Sequence, residues 1–164
     1  MDVAIISDTH IPSREPSIPA WARRLISDAD HVIHAGDFDS TKALADVRQL
    51  APRVTAVSGN MDPRGVGLPE IETVRLGGVT FVVTHGTGSK RNYEQRVADI
   101  VAEHAADGPT VGVSGHTHQL LDEIVDGYRL LNPGSVTGAA PADEATMLTA
   151  EVSGGEIDVT VRRE

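Results

Sequence analysis

Four histidines, two aspartates and an asparagine recur in five short words: Asp8-Thr9-His10, Gly36-Asp37, Gly59-Asn60, His85-Gly86 and Gly115-His116-Thr117-His118. Carboxylate oxygens, imidazole nitrogens and an amide oxygen are ligands for divalent ions, and this set is large enough for two adjacent ions. Such a centre points to hydrolysis rather than to folding alone. The donors suit manganese, iron, zinc, nickel or cobalt better than calcium. The chain has no cysteine, which excludes a disulfide, a thiolate zinc site and a cysteine nucleophile. Each word alone is weak, since Gly-Asp and Gly-Asn are more often plain turns. Five of them in order, each after an apolar run, are hard to obtain by chance.

The elements that carry these words are legible in outline. Residues 3–6, 31–35, 54–57, 79–83 and 110–114 are short apolar runs that read as buried strands. Between them, Trp21, Leu25 and Ile26 lie at helical spacing within 18–27. Ser40 is a candidate N-cap for a helix over 41–50, and Val97, Ile100, Val101 and His104 share roughly one face of a helix over 92–106. Asp126-Gly127 and Gly154-Gly155 each separate two strand-like runs, a hairpin signal, so the C-terminal third reads as a meander. A mixed sheet, or two stacked sheets, with helices outside accommodates both halves.

The carboxyl ends of strands form the usual ligand crevice of such sheets, where residues distant in sequence meet. The glycines of the words suit tight turns and close backbone approach. The two-residue period of a strand would place Asp8 and His10 on one side, ready for one ion. His116 and His118 form a second such pair, unless a loop sends them to different ions. His31, His34 and His104 read as core or surface histidines with hydrogen-bond partners.

Composition bounds the alternatives. A chain of 164 residues is expected to form one domain, 1–164, large enough for a core without staples. No apolar run approaches the ~20 residues of a membrane span, and the N-terminus lacks the basic and apolar regions of a signal peptide. A cytoplasmic protein without a membrane role is therefore expected. The net charge of −10 argues against nucleic acid as a stable partner. It leaves room for a local cationic site made by metal ions.

The ordered words resemble those of the calcineurin-like metallophosphoesterases. The match continues through Met61-Asp62 and into Asn132-Pro133-Gly134-Ser135, a word typical of the small bacterial and archaeal phosphodiesterases of that superfamily. The resemblance covers almost the whole chain. It implies an α/β (α+β) fold of two stacked mixed β-sheets flanked by helices. It also implies a metal-dependent phosphodiesterase acting through a hydroxide that bridges two ions. Asp8, His10 and His118 would hold the first ion; Asn60, His85 and His116 the second; Asp37 both. Asp37, Asn60 and His116 are the residues to which it assigns catalysis. Manganese is the first choice of metal, with nickel, iron, zinc, cobalt or magnesium as alternatives. The partner would be a small phosphodiester substrate, and a homodimer is expected from the relatives.

Charge arithmetic fits that substrate. Two ions bring about +4, Asp8 and Asp37 return about −2, and a hydroxide leaves about +1. Two ions ~3.5–4 Å apart can activate the nucleophile and clamp the phosphoryl oxygens. One residue departs from the wider family, where a histidine follows the asparagine of Gly-Asn. Here it is Met61, whose thioether carries no proton to give a leaving group. The small phosphodiesterases commonly share that departure. Asp62 is expected to cap the turn or support the ligands, Arg64 to be a solvated loop residue, with contact to a substrate phosphate as its alternative, and Asn132 to Ser135 to form a structural loop beside the site.

Two other functions fit the same fold. One is a non-catalytic protein-interaction scaffold, as in the retromer's calcineurin-like subunit, where the metal site is degraded. The other is a phosphomonoesterase or nucleotide pyrophosphatase. Substrate choice would lie in the loops 11–19 and 61–69. They offer few aromatics to stack a base, with only Trp21 and Tyr93 nearby in sequence.

Overall fold

The computed structural model describes all residues 1–164. Ten strands form two five-stranded sheets. The first contains β1 (Asp2–Ile6), β2 (His31–His34), β3 (Val54–Ala56), β9 (Met147–Ser153) and β10 (Glu156–Arg162), in the order β10-β9-β1-β2-β3. The second contains β4 (Ile71–Leu76), β5 (Val79–Thr84), β6 (Thr110–Val113), β7 (Leu120–Val125) and β8 (Tyr128–Pro133), in the order β4-β5-β6-β8-β7. Both are mixed. β1, β2 and β3 run parallel, as do β5, β6 and β8, while the outer strands pair antiparallel.

The sheets face each other across a core that includes Val3, Ile5 and Ile33 from one and Phe81, Val83, Val113 and Leu131 from the other. Alternation then puts Ala4, Ile6 and Val32 on the outer face of the first sheet. There they meet α1 (Ala20–Asp28) and α2 (Thr41–Leu50) through Ala22, Ile26, Leu44 and Val47. α3 (Tyr93–His104) covers the second sheet by laying Val97, Ala98 and Val101 against Val82 and Leu130. Each fully buried aliphatic side chain contributes about 1.5–3 kcal/mol, so these three apolar clusters hold the layers in place. Ser40 caps α2 as its position predicts, its hydroxyl accepting the Ala43 N–H at 3.1 Å.

Two sequence expectations need correction. The C-terminal third is not one meander: β7–β8 completes the second sheet, whereas β9–β10 crosses to the first, where β9 pairs with β1. In addition, β4 was not foreseen. Its Ile-Glu-Thr-Val-Arg-Leu run is half polar because it is an edge strand, and its hairpin partner β5 follows the Gly77-Gly78 turn.

The parallel strands matter most for the site. Asp8 follows β1, Asp37 follows β2, Asn60 follows β3, His85 follows β5 and His116 follows β6. The carboxyl ends of both sheets open on the same region, so one crevice gathers all five words. No helix is long and apolar enough to cross a membrane.

Candidate metal centre

Asp8, His10, Asp37, His85 and His118 come together, all buried. Ligand atoms of Asp8, His10 and His118 lie within 4.8 Å of one another, and so do those of Asp8, Asp37 and His85. Asp8 Oδ1 is 3.3 Å from His118 Nε2 and 3.6 Å from His10 Nε2, but 3.9 Å from His85 Nε2. Asp37 Oδ2 lies 3.5 Å from His10 Nε2 and 3.1 Å from His85 Nε2, facing both groups. His116 is half-buried, its ring edge-on to His85 with centroids 5.2 Å apart. Asn60 is exposed and borders a cavity of about 280 Å³ together with His85. The loop 115–118 thus sends His118 toward His10 and His116 toward His85.

The Asp8-Thr9-His10 word does not work as an extended strand. β1 ends at Ile6, and Asp8 and His10 have φ of +55° and +47°. Asp37, His116 and His118 are left-handed as well, at +64°, +74° and +61°. Five of seven candidate ligands therefore occupy a conformation that costs about 1 kcal/mol or more each, a strain that folds retain mainly at functional sites. Convergence comes from turns, not from strand alternation.

Contacts distant in sequence hold these turns. The N–H groups of Asp8, His10 and Ile11 donate to the carbonyls of Gly36, Asp37 and Phe38, so the first two loops run side by side. Ser135 Oγ donates to the Asp8 carbonyl at 2.7 Å, and Thr137 Oγ1 to the Thr9 carbonyl at 2.8 Å. Asp62 accepts three backbone N–H groups, from Asp37 (2.9 Å), Gly59 (2.8 Å) and Asp39 (3.0 Å). Asn132 Nδ2 donates to the Gly115 carbonyl at 3.0 Å, and Tyr93 Oη donates to the same oxygen at 2.5 Å. His34 accepts the Gly36 N–H on Nδ1 and donates from Nε2 to Thr9 Oγ1 at 2.7 Å, tying both loops together from beneath. A β-carbon on Gly115 would overlap Ser7 Oγ and crowd Asp8 Oδ2 at 2.7 Å. The sequence marked Gly115 and foresaw the roles of Asp62 and the 132–135 loop. It carried no local signal for Asp39, Tyr93 or Thr137.

The four histidines share one electronic arrangement. His10 Nδ1 faces Asp39 Oδ1 at 2.8 Å, His85 Nδ1 the Ala35 carbonyl at 2.7 Å, His118 Nδ1 the Ala139 carbonyl at 2.8 Å, and His116 Nε2 the Gly88 carbonyl at 2.9 Å. Those oxygens only accept, so each ring donates there and a neutral ring keeps a bare lone pair on its other nitrogen. This fixed tautomer is the usual preparation of a metal-ligating histidine. His10 Nε2 and His118 Nε2 stand 3.2 Å apart with no proton left to share between neutral rings. Asp8 Oδ1 and His85 Nε2 are buried without any hydrogen-bond partner. Unpartnered acceptors in a dry site are costly unless a cation satisfies them.

The ionisation equilibria agree. Burial pushes Asp8 up, but His10, His118 and His85 overrule it and hold its carboxyl well below the usual carboxylate range. Burial likewise raises Asp37, and His85 and the Met61 N–H outweigh that effect to leave it lowered. Burial pushes His10 down, yet Asp8, Asp39 and Asp37 hold it above its ordinary value; His85 is raised against burial by Asp37 and Asp8. The cluster demands positive charge, and protons or metal ions can supply it. Buried, pre-aimed carboxylate and imidazole donors fit a divalent transition ion.

The calcineurin-like phosphoesterase superfamily domain matches residues 1–155. The chain belongs to that superfamily. Among its metallophosphoesterase relatives, a probable metallophosphoesterase of Methanothermobacter thermautotrophicus is 36% identical over 169 aligned positions, covering 99% of this chain and 92% of the relative. A Methanocaldococcus jannaschii protein named as a phosphodiesterase is 27% identical, covering 84% of this chain and 86% of its own length. In three dimensions, Vps29 of Chaetomium thermophilum superposes with a TM-score of 0.82 at 20% identity, over 100% of this chain and 97% of that one. The superfamily is metal-dependent, and Asp8, His10, Asp37, His85 and His118 are candidate ligands for such a metal.

Proposed function

We propose that the chain is a metal-dependent phosphodiesterase with a two-ion centre, acting on a small phosphodiester in the cytoplasm. Asp8, His10 and His118 hold one ion, Asn60, His85 and His116 the other, and Asp37 both. Of these, Asp37, Asn60 and His116 also serve catalysis. The observation that carries the reading is the set of four histidines, each with one nitrogen spent on an oxygen acceptor, around buried atoms that have no partner.

When bound, the two ions supply positive charge to the phosphoryl oxygens and acidify a water. The chain's own work is positional. Asp62, Ser135 and His34 hold the left-handed loops that aim the donors. Burial excludes bulk water from Asp8 and Asp37, which strengthens every electrostatic contact there. Met61, 44% exposed beside Asn60, offers no proton, so the leaving group departs without a protic side chain at that position.

Support for a diester comes from the relative named as a phosphodiesterase, and the donors have open space beside them for a substrate. One cavity of about 280 Å³ adjoins Asn60, His85 and Arg96, and another of about 210 Å³ adjoins His118, Leu120 and Pro141. Manganese is the ion to supply first. The test compares bis-p-nitrophenyl phosphate with p-nitrophenyl phosphate on metal-stripped protein with and without Mn²⁺. Metal-restored cleavage that favours the diester is expected. Preference for the monoester would make the chain a phosphomonoesterase. Binding of metal with no turnover of either would turn the reading to a protein-interaction scaffold.

A further inference from the structure

Three of the four histidines lean on acceptors that the fold already holds. The carbonyls facing His85 and His118 belong to Ala35 and Ala139, both fully buried, and the Asp39 carboxylate facing His10 is 5% exposed. His116 differs. Its acceptor is the Gly88 carbonyl at 2.9 Å, in a loop that is exposed from Thr87 to Asn92. That stretch reads Thr-Gly-Ser-Lys-Arg-Asn and has no apolar side chain to anchor it. Gly86 and Gly88 turn at φ of +82° and +128°, a path that glycine enters freely and does not by itself hold. Something else must fix this loop before Gly88 can fix a ring.

Arg96, in the first turn of α3, is placed to do so. Its Nη1 donates to the Thr87 carbonyl at 2.9 Å, and its Nη2 to the carbonyls of Ser89 at 2.6 Å and Gly86 at 3.4 Å. Nε is buried with no acceptor, so the two terminal nitrogens carry the whole clamp. Gly88 sits between the clamped carbonyls, close enough that a β-carbon there would stand 3.2 Å from Nη1. The guanidinium also lies 5.9 Å from the centre of the Tyr93 ring, whose Oη donates to the Gly115 carbonyl. The start of α3 thus holds both the acceptor of the His116 ring and the backbone just before it. A planar guanidinium can bridge several carbonyls at once, whereas a lysine ammonium is a point charge on a flexible stem. Resting on the two-ion reading above, we infer that Arg96 is the positioning residue of His116: by clamping the loop 86–89 it keeps Gly88 as the acceptor for Nε2 and leaves Nδ1 bare for the second ion. Arg96 acts through the loop and touches neither ion nor substrate in this role.

The first readout needs no metal. In the metal-stripped full chain at about pH 9, where ordinary imidazoles are neutral, nitrogen NMR of the rings reports which nitrogen carries the proton. The wild type is expected to hold the His116 proton on Nε2. Arg96→Met keeps an apolar stem beside Tyr93 and removes the donors. His116 should then exchange between both tautomers, while His85 and His118 keep theirs. Arg96→Lys keeps the charge without the fork and should resemble Arg96→Met. Both variants should need about tenfold more Mn²⁺ for half-maximal cleavage of bis-p-nitrophenyl phosphate, with KM for the diester nearly unchanged. A His116 ring that keeps its tautomer in both variants, or a loss shared equally by His85 and His118, would overturn the inference. A wild-type chain that binds fewer than two ions would overturn the two-ion reading instead, and the metal-free tautomers would still decide the role of Arg96.

Discussion

Asp62→Ala is the sharpest probe of how the fold holds its donors. One side chain accepts the N–H groups of Asp37, Gly59 and Asp39 at 2.8–3.0 Å, and so joins the loops after β2 and β3. Hydrogen bonds to a charged acceptor contribute about 1.5–3 kcal/mol each when buried. These are part-buried, and water can replace some of them, so about 1 kcal/mol each is the appropriate figure. The variant should lose about 3 kcal/mol, which at a urea m-value of about 2 kcal/mol/M lowers the midpoint by about 1.5 M. Denaturation in EDTA reads this without a metal contribution. Asp62→Asn should fall between, because its amide oxygen can keep the two bonds made by one carboxylate oxygen while its NH₂ opposes the third donor. The same variants should weaken metal binding, since Asp37 loses the tether on its backbone. A midpoint shift below about 0.3 M with unchanged metal affinity would refute the reasoning that Asp62 sets the loop.

Other consequences are as direct. His34 is fully buried and burial lowers its pKa to about 3. Its neutral form belongs to the fold, so stability is complete above the unfolded value near 6.5 and declines as pH falls toward 3. Between pH 6 and 5 the wild type should lose up to about 1.4 kcal/mol per pH unit more than His34→Asn, measured as unfolding free energy; equal slopes would contradict the assignment. Gly115→Ala should weaken metal binding at least about tenfold, because the new β-carbon meets Ser7 Oγ and Asp8 Oδ2. A fully metal-competent Ala variant would show that the loop yields. Because Met61 offers no proton, nitrophenyl diesters should be cleaved far faster than alkyl diesters. Comparable rates would require an acid that the geometry does not provide.

The two ends of the problem differ in how much the sequence reveals. Buried parallel strands announce themselves as apolar runs, and the ligand words follow them directly, so Asp8, Asp37, His85 and His118 could be placed at one crevice before any coordinates. Ser40 was legible as a cap because its contact is three residues away. β4 was missed because an edge strand exposes half its residues and loses the apolar signature. The conformation of Asp8-Thr9-His10 is hidden from the sequence for a related reason: left-handed turns in Asp and His leave no pattern like the one glycine does. Asp39, Tyr93 and Thr137 act across 29, 22 and 128 residues of chain, and no local spacing reports contacts of that kind. Physical necessity still linked the levels, since strained ligand loops need partners to hold them.

In a two-ion centre Asp37 must serve both halves. Its most direct test is the Mn²⁺ stoichiometry of metal-stripped wild type and Asp37→Ala, measured beside hydrolysis of bis-p-nitrophenyl phosphate. Two ions and metal-restored cleavage are expected for the wild type, and loss of both the second ion and the activity in the variant. An Asp37→Ala protein that binds two ions and keeps full activity would contradict that expectation.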